Sequence, residues 1–341
     1  MKKLLETLYI LTPESYVYHR NENVCVSIGG TEKVSVPVTQ IDSIVFVGKN
    51  SMSTPLIEFC GEHGITMTFL DAKGKFCGRV CGPVSGNVLL RKKQYDSISN
   101  KEFSETTVRN ILLGKFQNSR DVLMRHARSC KTENQAQQLY HASEQIREMA
   151  VQLISCTDID TMRGIEGAAA SVYFSQFDNM LSDSCEFRFI ARSKRPPRNE
   201  VNAVLSFVYT LLTHDVRSAA ETVGLDPAAG YLHTLRPGRS SFALDLMEEL
   251  RAPLCDRLTL TLFNKGQLSA KDFESDSEAV YLNDKGRRTV IGQWRERKQE
   301  EIQHPFFKEK IPIGLIPYTQ AMLFARVLRG DLDMYPPFSW R

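Results

Sequence analysis

The chain has 341 residues, of which 43 are Lys or Arg and 40 are Asp or Glu, giving a formal charge of +3, with 24% charged and 42% hydrophobic side chains. That composition excludes a mainly disordered chain, and at about 150 residues per domain the length predicts two domains, each able to bury its own core without metal or disulfide staples. A charge so close to neutral leaves nucleic acid open as a partner, because phosphate binding needs a local basic patch rather than an extreme overall balance.

In chain order, short runs rich in Val, Ile and Thr predict strands from Thr7 to Leu11, Val24 to Ile28, Lys33 to Pro37, Ser43 to Val47 and Thr66 to Leu70, with turns at Gly29-Gly30, Gly48 and Gly74. Their alternation predicts antiparallel strands joined by tight turns. One helix interrupts them, from Thr54 to His63, behind a Ser53-Thr54-Pro55 start and ahead of Gly64. Beyond about Asn87 the β signals give way to helical periodicity. A polar stretch from Asp96 to Asn100 reads as a bend, and helices are predicted from Thr106 to Arg128, Glu133 to Cys156, Glu166 to Leu181, Glu200 to Val223, Ser241 to Leu262 and Pro317 to Arg329, with Pro336-Pro337-Phe338 in an irregular tail. The fold class read from this order is α+β: a small N-terminal β-rich domain over residues 1–90, then a larger all-helical domain over residues 91–341.

Eight cysteines (Cys25, Cys60, Cys77, Cys81, Cys130, Cys156, Cys185, Cys255) are scattered along the chain and read as free thiols in a reducing cytosol. Cys77 and Cys81, with three residues between them, lack the spacing and second ligand pair of a zinc clip. Behind Lys2 and Lys3 the apolar stretch is broken by Glu6, Thr12 and Pro13, and no apolar run reaches the roughly 18 residues a membrane helix needs, so a cytoplasmic protein without a membrane partner is expected.

Three segments of the helical half carry chemistry. In Arg163-Gly164-Ile165-Glu166-Gly167-Ala168-Ala169-Ala170 an acid near a predicted helix start stands among the smallest side chains, which would let a backbone or ligand come close; the bland alternative is a tight helix contact with Glu166 as an ordinary first-turn acid. In Arg192-Ser193-Lys194-Arg195-Pro196-Pro197-Arg198 the cations precede a helix, in a segment that either follows a phosphate backbone or is a charged surface loop. In Gly230-Tyr231-Leu232-His233 and the helix predicted from Ser241, Asp245, Glu248 and Glu249 fall on one face, where carboxylate repulsion must be offset by solvent or a cation, and His233 could add a nitrogen ligand. Tyr173 and Tyr209 lie close to these motifs and read as buried packing.

Taken together and in order, Gly164-Ile165-Glu166-Gly167, Arg195-Pro196-Pro197 with Val201-Asn202-Ala203-Val204-Leu205-Ser206, Gly230-Tyr231-Leu232-His233 and Ser241-Phe242-Ala243-Leu244-Asp245-Leu246-Met247-Glu248 resemble the larger subunit of the CRISPR adaptation integrase, the endonuclease that inserts new spacers. The wording of the blocks points towards subtype I-C. The resemblance implies a β domain followed by a helical catalytic domain, with Glu166, His233 and Glu248 as ligands of Mg²⁺ or Mn²⁺ and Asp245 in support. Many relatives carry Asp where this chain has Glu248. Two carboxylates and one imidazole suit these ions better than zinc.

The implied activity is transesterification, a 3′ hydroxyl of incoming double-stranded DNA attacking a phosphodiester at the leader-repeat boundary. The implied partners are prespacer and leader-repeat DNA, a second copy of the chain, a small second adaptation subunit and an end-trimming exonuclease. Arg192, Lys194, Arg195, Arg198, Arg236 and Arg251 are the candidate DNA contacts. The competing reading is a DNA-binding structural subunit whose acids form a solvated helix face; a small-molecule metal hydrolase is disfavoured by the Arg192 to Arg198 stretch.

Overall fold

The computed structural model describes residues 4–83, 87–130 and 132–340, which leaves Lys2 and Lys3 outside it. The described chain divides into two compact units: residues before 86 joined by Asn283–Arg288, and residues from 86 onwards without that segment. In the first unit, β1 (Glu6–Ile10), β5 (Ile41–Val47), β7 (Thr66–Leu70) and β8 (Phe76–Val80) form one sheet. A second sheet has the order β4 (Thr31–Pro37), β3 (Asn23–Ile28), β2 (Tyr16–Arg20) and β6 (Ser51–Met52). Ile10, Val17, Val24, Ile44, Phe46, Leu56 and Met67 share the core.

The β3–β4 hairpin turns on Gly29 and Gly30, both at positive φ, as the sequence predicts. The expectation of antiparallel pairing fails for β1, β5 and β7, which run parallel. The reason is legible in β5: every residue except Asp42 is buried, so it is a central strand covered on both faces. A parallel neighbour needs a crossover, and α1 (Thr54–Glu62), capped by the Ser53 hydroxyl, lies on the connection from β5 to β7. The strands β2, β6 and β8 were not foreseen; β6 is two residues long and β8 contains Gly78.

The second unit begins with α2 (Val88–Ile98), α3 (Lys101–Ala127) and α4 (Glu133–Ser155). The expected bend narrows to Ser99-Asn100, where the Asn100 side chain caps α3. Next comes α5 (Ile159–Ser175), which starts seven residues before Glu166 because Asp158 caps it through the Thr161 amide, 2.7 Å away. Glu166 is therefore a mid-helix residue, and the first-turn reading is corrected. After α6 (Glu200–Thr222), the predicted helix from Ser241 to Leu262 is broken into α7 (Ser241–Leu246), the short α8 (Glu248–Leu250), a π-helical segment Arg251–Asp256 and α9 (Arg257–Asn264). Pro253, which has no amide hydrogen, sits inside the π segment.

The unit is not all-helical as expected. It carries two hairpins, β9 (Phe273–Asp276) with β10 (Ala279–Leu282), and β11 (Glu301–Gln303) with β12 (Lys310–Pro312). A helix not foreseen, α10 (Asp284–Gln299), begins in the segment assigned to the first unit, and α11 (Ile316–Arg329) follows β12. The tail after α11 has no regular structure, yet Tyr335 and Phe338 are almost wholly buried. Among the described residues no helix is long and apolar enough to cross a membrane.

Candidate active site

Four helical elements and one loop bring the predicted acids and imidazole together. The loop depends on Gly230, where a Cβ would stand 2.6 Å from the Ser241 carbonyl carbon and 2.8 Å from Asp245 Oδ2, so only glycine permits the approach. That contact lets the next three residues wrap the carboxylate of Asp245, which is fully buried. Tyr231 N and Leu232 N donate to Oδ2 at 2.6 and 3.0 Å, and His233 N donates to Oδ1 at 2.9 Å. His233 Nδ1 lies 2.6 Å from the same Oδ1. A carboxylate only accepts, so Nδ1 carries a proton, and in the neutral ring this leaves the lone pair on Nε2, as in the carboxylate–histidine pairs that orient metal ligands. That nitrogen faces Glu248, with Oε1 3.8 Å away.

Glu248 and Glu166 meet through Lys115 of α3, whose Nζ touches Glu166 Oε1 and lies 2.7 Å from Glu248 Oε2. Arg251 Nη2 is 3.1 Å from Glu248 Oε1. Burial works against the Lys115 ammonium, but Glu248 and Glu166 outweigh it and hold its pKa above the ordinary value. Burial likewise disfavours the Glu248 carboxylate, yet Arg251, Lys115 and His233 bring its pKa down to about 2. Glu248 is thus a buried anion saturated with cations. Among the described residues no three His, Cys, Asp or Glu side chains stand as a ready-made cage; the ammonium bridges the two carboxylates instead.

Beside them is a cleft with about 540 Å³ of free space including its mouth, lined by Lys115, Glu166, Lys194, Tyr209, Glu248 and Arg251. The guanidinium groups of Arg192 and Arg251 lie 5.4 and 5.2 Å from the centroid of the Tyr209 ring, whose hydroxyl donates to Asp256 Oδ1 at 2.7 Å. Burial pushes Asp256 up to about 6 against that hydrogen bond. Partial burial of the Lys194 head group, then Arg251 and Arg192, holds its pKa below the usual value.

The other candidates separate. Glu249 does not join Glu248: its side chain is enclosed by Gln320, Tyr335 and the Phe338 amide, and burial pushes it up to about 8. The shared acidic face is therefore corrected to Asp245 behind His233 and Glu248 in front of it. Arg192 turns inward onto Asn202 and Ser206. Arg198 makes an exposed pair with Glu278 at 3.7 Å, while Arg195 and Arg236 are exposed on loops. The glycines of α5 do not admit a close neighbour, since a Cβ at Gly164 or Gly167 would meet nothing within 4 Å among the described residues. Cys77 and Cys81 are both exposed. The sequence reading missed Lys115 and Asp256. A signal existed for Lys115, which falls between Ile111 and Ser119 on the buried stripe of α3, where an unpaired cation would be costly.

A family model described as CRISPR associated protein Cas1 matches residues 8–296. A CRISPR-associated endonuclease Cas1 of Chlorobaculum tepidum is 47% identical over 343 aligned residues, covering the whole of both chains. Among solved structures, a Cas1 protein of Thermotoga maritima is similar with a TM-score of 0.82 and 25% identity, over 96% of this chain and 97% of that one. A casposase bound to integration product shares the fold with a TM-score of 0.83 at 18% identity, over 99% and 95%. The chain belongs to the Cas1 family of CRISPR-associated endonucleases.

Proposed function

We propose that the chain is a metal-dependent DNA integrase and endonuclease that joins the 3′ hydroxyl of a prespacer to a phosphodiester at the leader end of a CRISPR repeat. The observation that supports it is the bridging of Glu166 and Glu248 by Lys115 at a cleft also lined by Lys194 and Arg251, with His233 Nε2 3.8 Å from Glu248 Oε1. The donor set fits Mg²⁺ or Mn²⁺: two hard carboxylates and one oriented imidazole, with the Lys115 ammonium already between the carboxylates where positive charge is wanted. Glu166, His233 and Glu248 would hold the ion, which when bound polarises the phosphoryl group and stabilises charge on the attacking and departing oxygens.

The chain's own groups prepare that chemistry. Asp245 fixes the tautomer and direction of His233. Arg251 and Lys194 supply positive charge for the phosphates on either side of the reacting one. Each transfer forms one P–O bond and breaks another of the same kind, so the reverse reaction and the nicking of branched DNA follow from the same groups. Double-stranded DNA, a second copy of the chain, a small second subunit and an end-trimming exonuclease complete the proposed assembly in the cytoplasm.

An insertion assay with purified protein, with and without the small subunit and across Mg²⁺ and Mn²⁺, tests the reading. Glu166→Ala should abolish insertion while fold and DNA binding persist; retained insertion by a folded Glu166→Ala protein would contradict it. A purely structural DNA-binding subunit is separated by metal-dependent nicking of branched DNA, lost in His233→Ala.

A further inference from the structure

The irregular tail is buried against the residue next to the proposed ligand Glu248. Tyr335 Oη, Gln320 Nε2 and the Phe338 amide converge on the Glu249 carboxyl at 2.5, 2.8 and 2.9 Å. Asn118, one turn along α3 from Lys115, donates to the Glu249 carbonyl at 2.7 Å and to the Phe338 carbonyl at 2.9 Å, and accepts from the Trp340 amide at 2.8 Å. Gly114 leaves room for the crossing, since a Cβ there would meet Pro337 Cβ at 2.7 Å and Glu249 Oε2 at 3.1 Å. The end of the strap is pinned where the Trp340 ring stacks with Arg257 and Arg297, 4.6 and 5.2 Å from its centroid. Helix α3 therefore grips α8 twice, through Lys115 on Glu248 and through Asn118 and the tail on Glu249.

We infer that the C-terminal segment from Tyr335 to Trp340 is a positioning element of the reaction centre: by holding Glu249 it fixes the direction of Glu248. Three buried contacts on one side chain are more than an inert terminus requires, and they bear on α8, which is three residues long and is followed directly by the π segment, so it has little helical stiffness of its own. The inference rests on the role proposed above for Glu248.

The test compares full-length parent, Trp340→Ala, Trp340→Phe and Glu248→Ala. Mn²⁺ affinity is measured by electron paramagnetic resonance without DNA, and kcat and KM are measured for nicking of branched DNA. Trp340→Ala should weaken Mn²⁺ binding by about 10- to 100-fold, as losing the support of a ligand does, and lower kcat with KM for DNA unchanged. Trp340→Phe, which keeps a stacking ring, should restore both. Parent-like Mn²⁺ affinity and kcat in Trp340→Ala, a loss confined to KM, or no rescue by phenylalanine would overturn the inference. If Glu248→Ala binds Mn²⁺ as tightly as the parent, the ligand assignment fails, and the kcat effect with its phenylalanine rescue then decides the role of the tail alone. Should Trp340→Ala not fold, Tyr335→Phe, which removes one hydroxyl from Glu249, is read by the same two measurements.

Discussion

Replacing Asp245 by asparagine removes the acceptor on which His233 depends while keeping the side chain's volume. The buried carboxylate accepts from two backbone amides on Oδ2 and from the amide and Nδ1 of His233 on Oδ1. An amide can satisfy one end only. If its oxygen faces His233, the Tyr231 and Leu232 amides confront an NH₂ group; if it faces them, the His233 ring must move its proton to Nε2 and loses its outward lone pair. Two hydrogen bonds disappear in the first orientation and one in the second, where the Nδ1 lone pair accepts from the new NH₂ group, at about 1.5–3 kcal/mol each. The second orientation also disables the imidazole, which should weaken Mn²⁺ binding by roughly 10- to 100-fold. Urea unfolding at neutral pH reads the first quantity, and Mn²⁺ titration well below the unfolding transition reads the second. An Asp245→Asn protein within about 0.5 kcal/mol of the parent, with the same Mn²⁺ midpoint, would refute the carboxylate's role as the support of His233.

Lys115→Met should lower stability in chelator by about 3–5 kcal/mol, because Glu166 and the buried Glu248 lose the cation between them. Added Mn²⁺ should then raise its melting temperature by more than it raises the parent's; equal shifts would show that the ammonium does not occupy the ion's place. Asp256, pushed up from 3.8 to about 6, favours its neutral form in the fold, so its contribution is complete below about pH 3.8 and is lost as pH rises through 6. Asp256→Asn, permanently neutral, should therefore gain about 3 kcal/mol on the parent between pH 4 and pH 8 at 1.36 kcal/mol per unit, and a stability difference that stays flat with pH would count against that environment. Gly230→Ala should cost about 1–3 kcal/mol and impair nicking, since its Cβ would press on backbone at 2.6 Å; parent-like stability and activity would mean the loop relaxes freely.

What the sequence revealed and what it hid divide along the range of the forces involved. Gly29-Gly30, the Ser53 cap and helix α4 are local preferences, and they appear where expected. The pairing of β1 with β5 joins residues more than thirty positions apart and is decided by the helical crossover and by burial on both faces, which a period-two pattern cannot report. In the second unit, Glu166, His233, Asp245 and Glu248 were legible from their blocks, and the structure links them pairwise: His233 to Asp245 and Glu248, and Glu166 to Glu248 through Lys115. Lys115 carries no motif and was visible only as a charge on an apolar stripe, while the burial of Phe338 depends on a glycine, an asparagine and a glutamate drawn from distant parts of the chain.

Glu248 and Glu249 show why spacing alone could not assign the acids. Two chemically identical side chains, adjacent in sequence and both buried, are driven in opposite directions, one down to about 2 and the other up to about 8. Desolvation is common to both, so the difference comes from their neighbours: Glu248 faces Arg251, Lys115 and His233, whereas Glu249 meets only uncharged donors from Tyr335, Gln320 and Phe338. Neighbouring cations make an anion tolerable in low dielectric; neutral donors help less, and the proton stays. Only the first acid offers a full negative charge at neutral pH, which is what a hard divalent cation requires. The contrast between them is thus set by α3, Arg251 and the tail rather than by either glutamate: Lys115 and Arg251 hold the charge on Glu248, and the tail surrounds Glu249 with neutral donors.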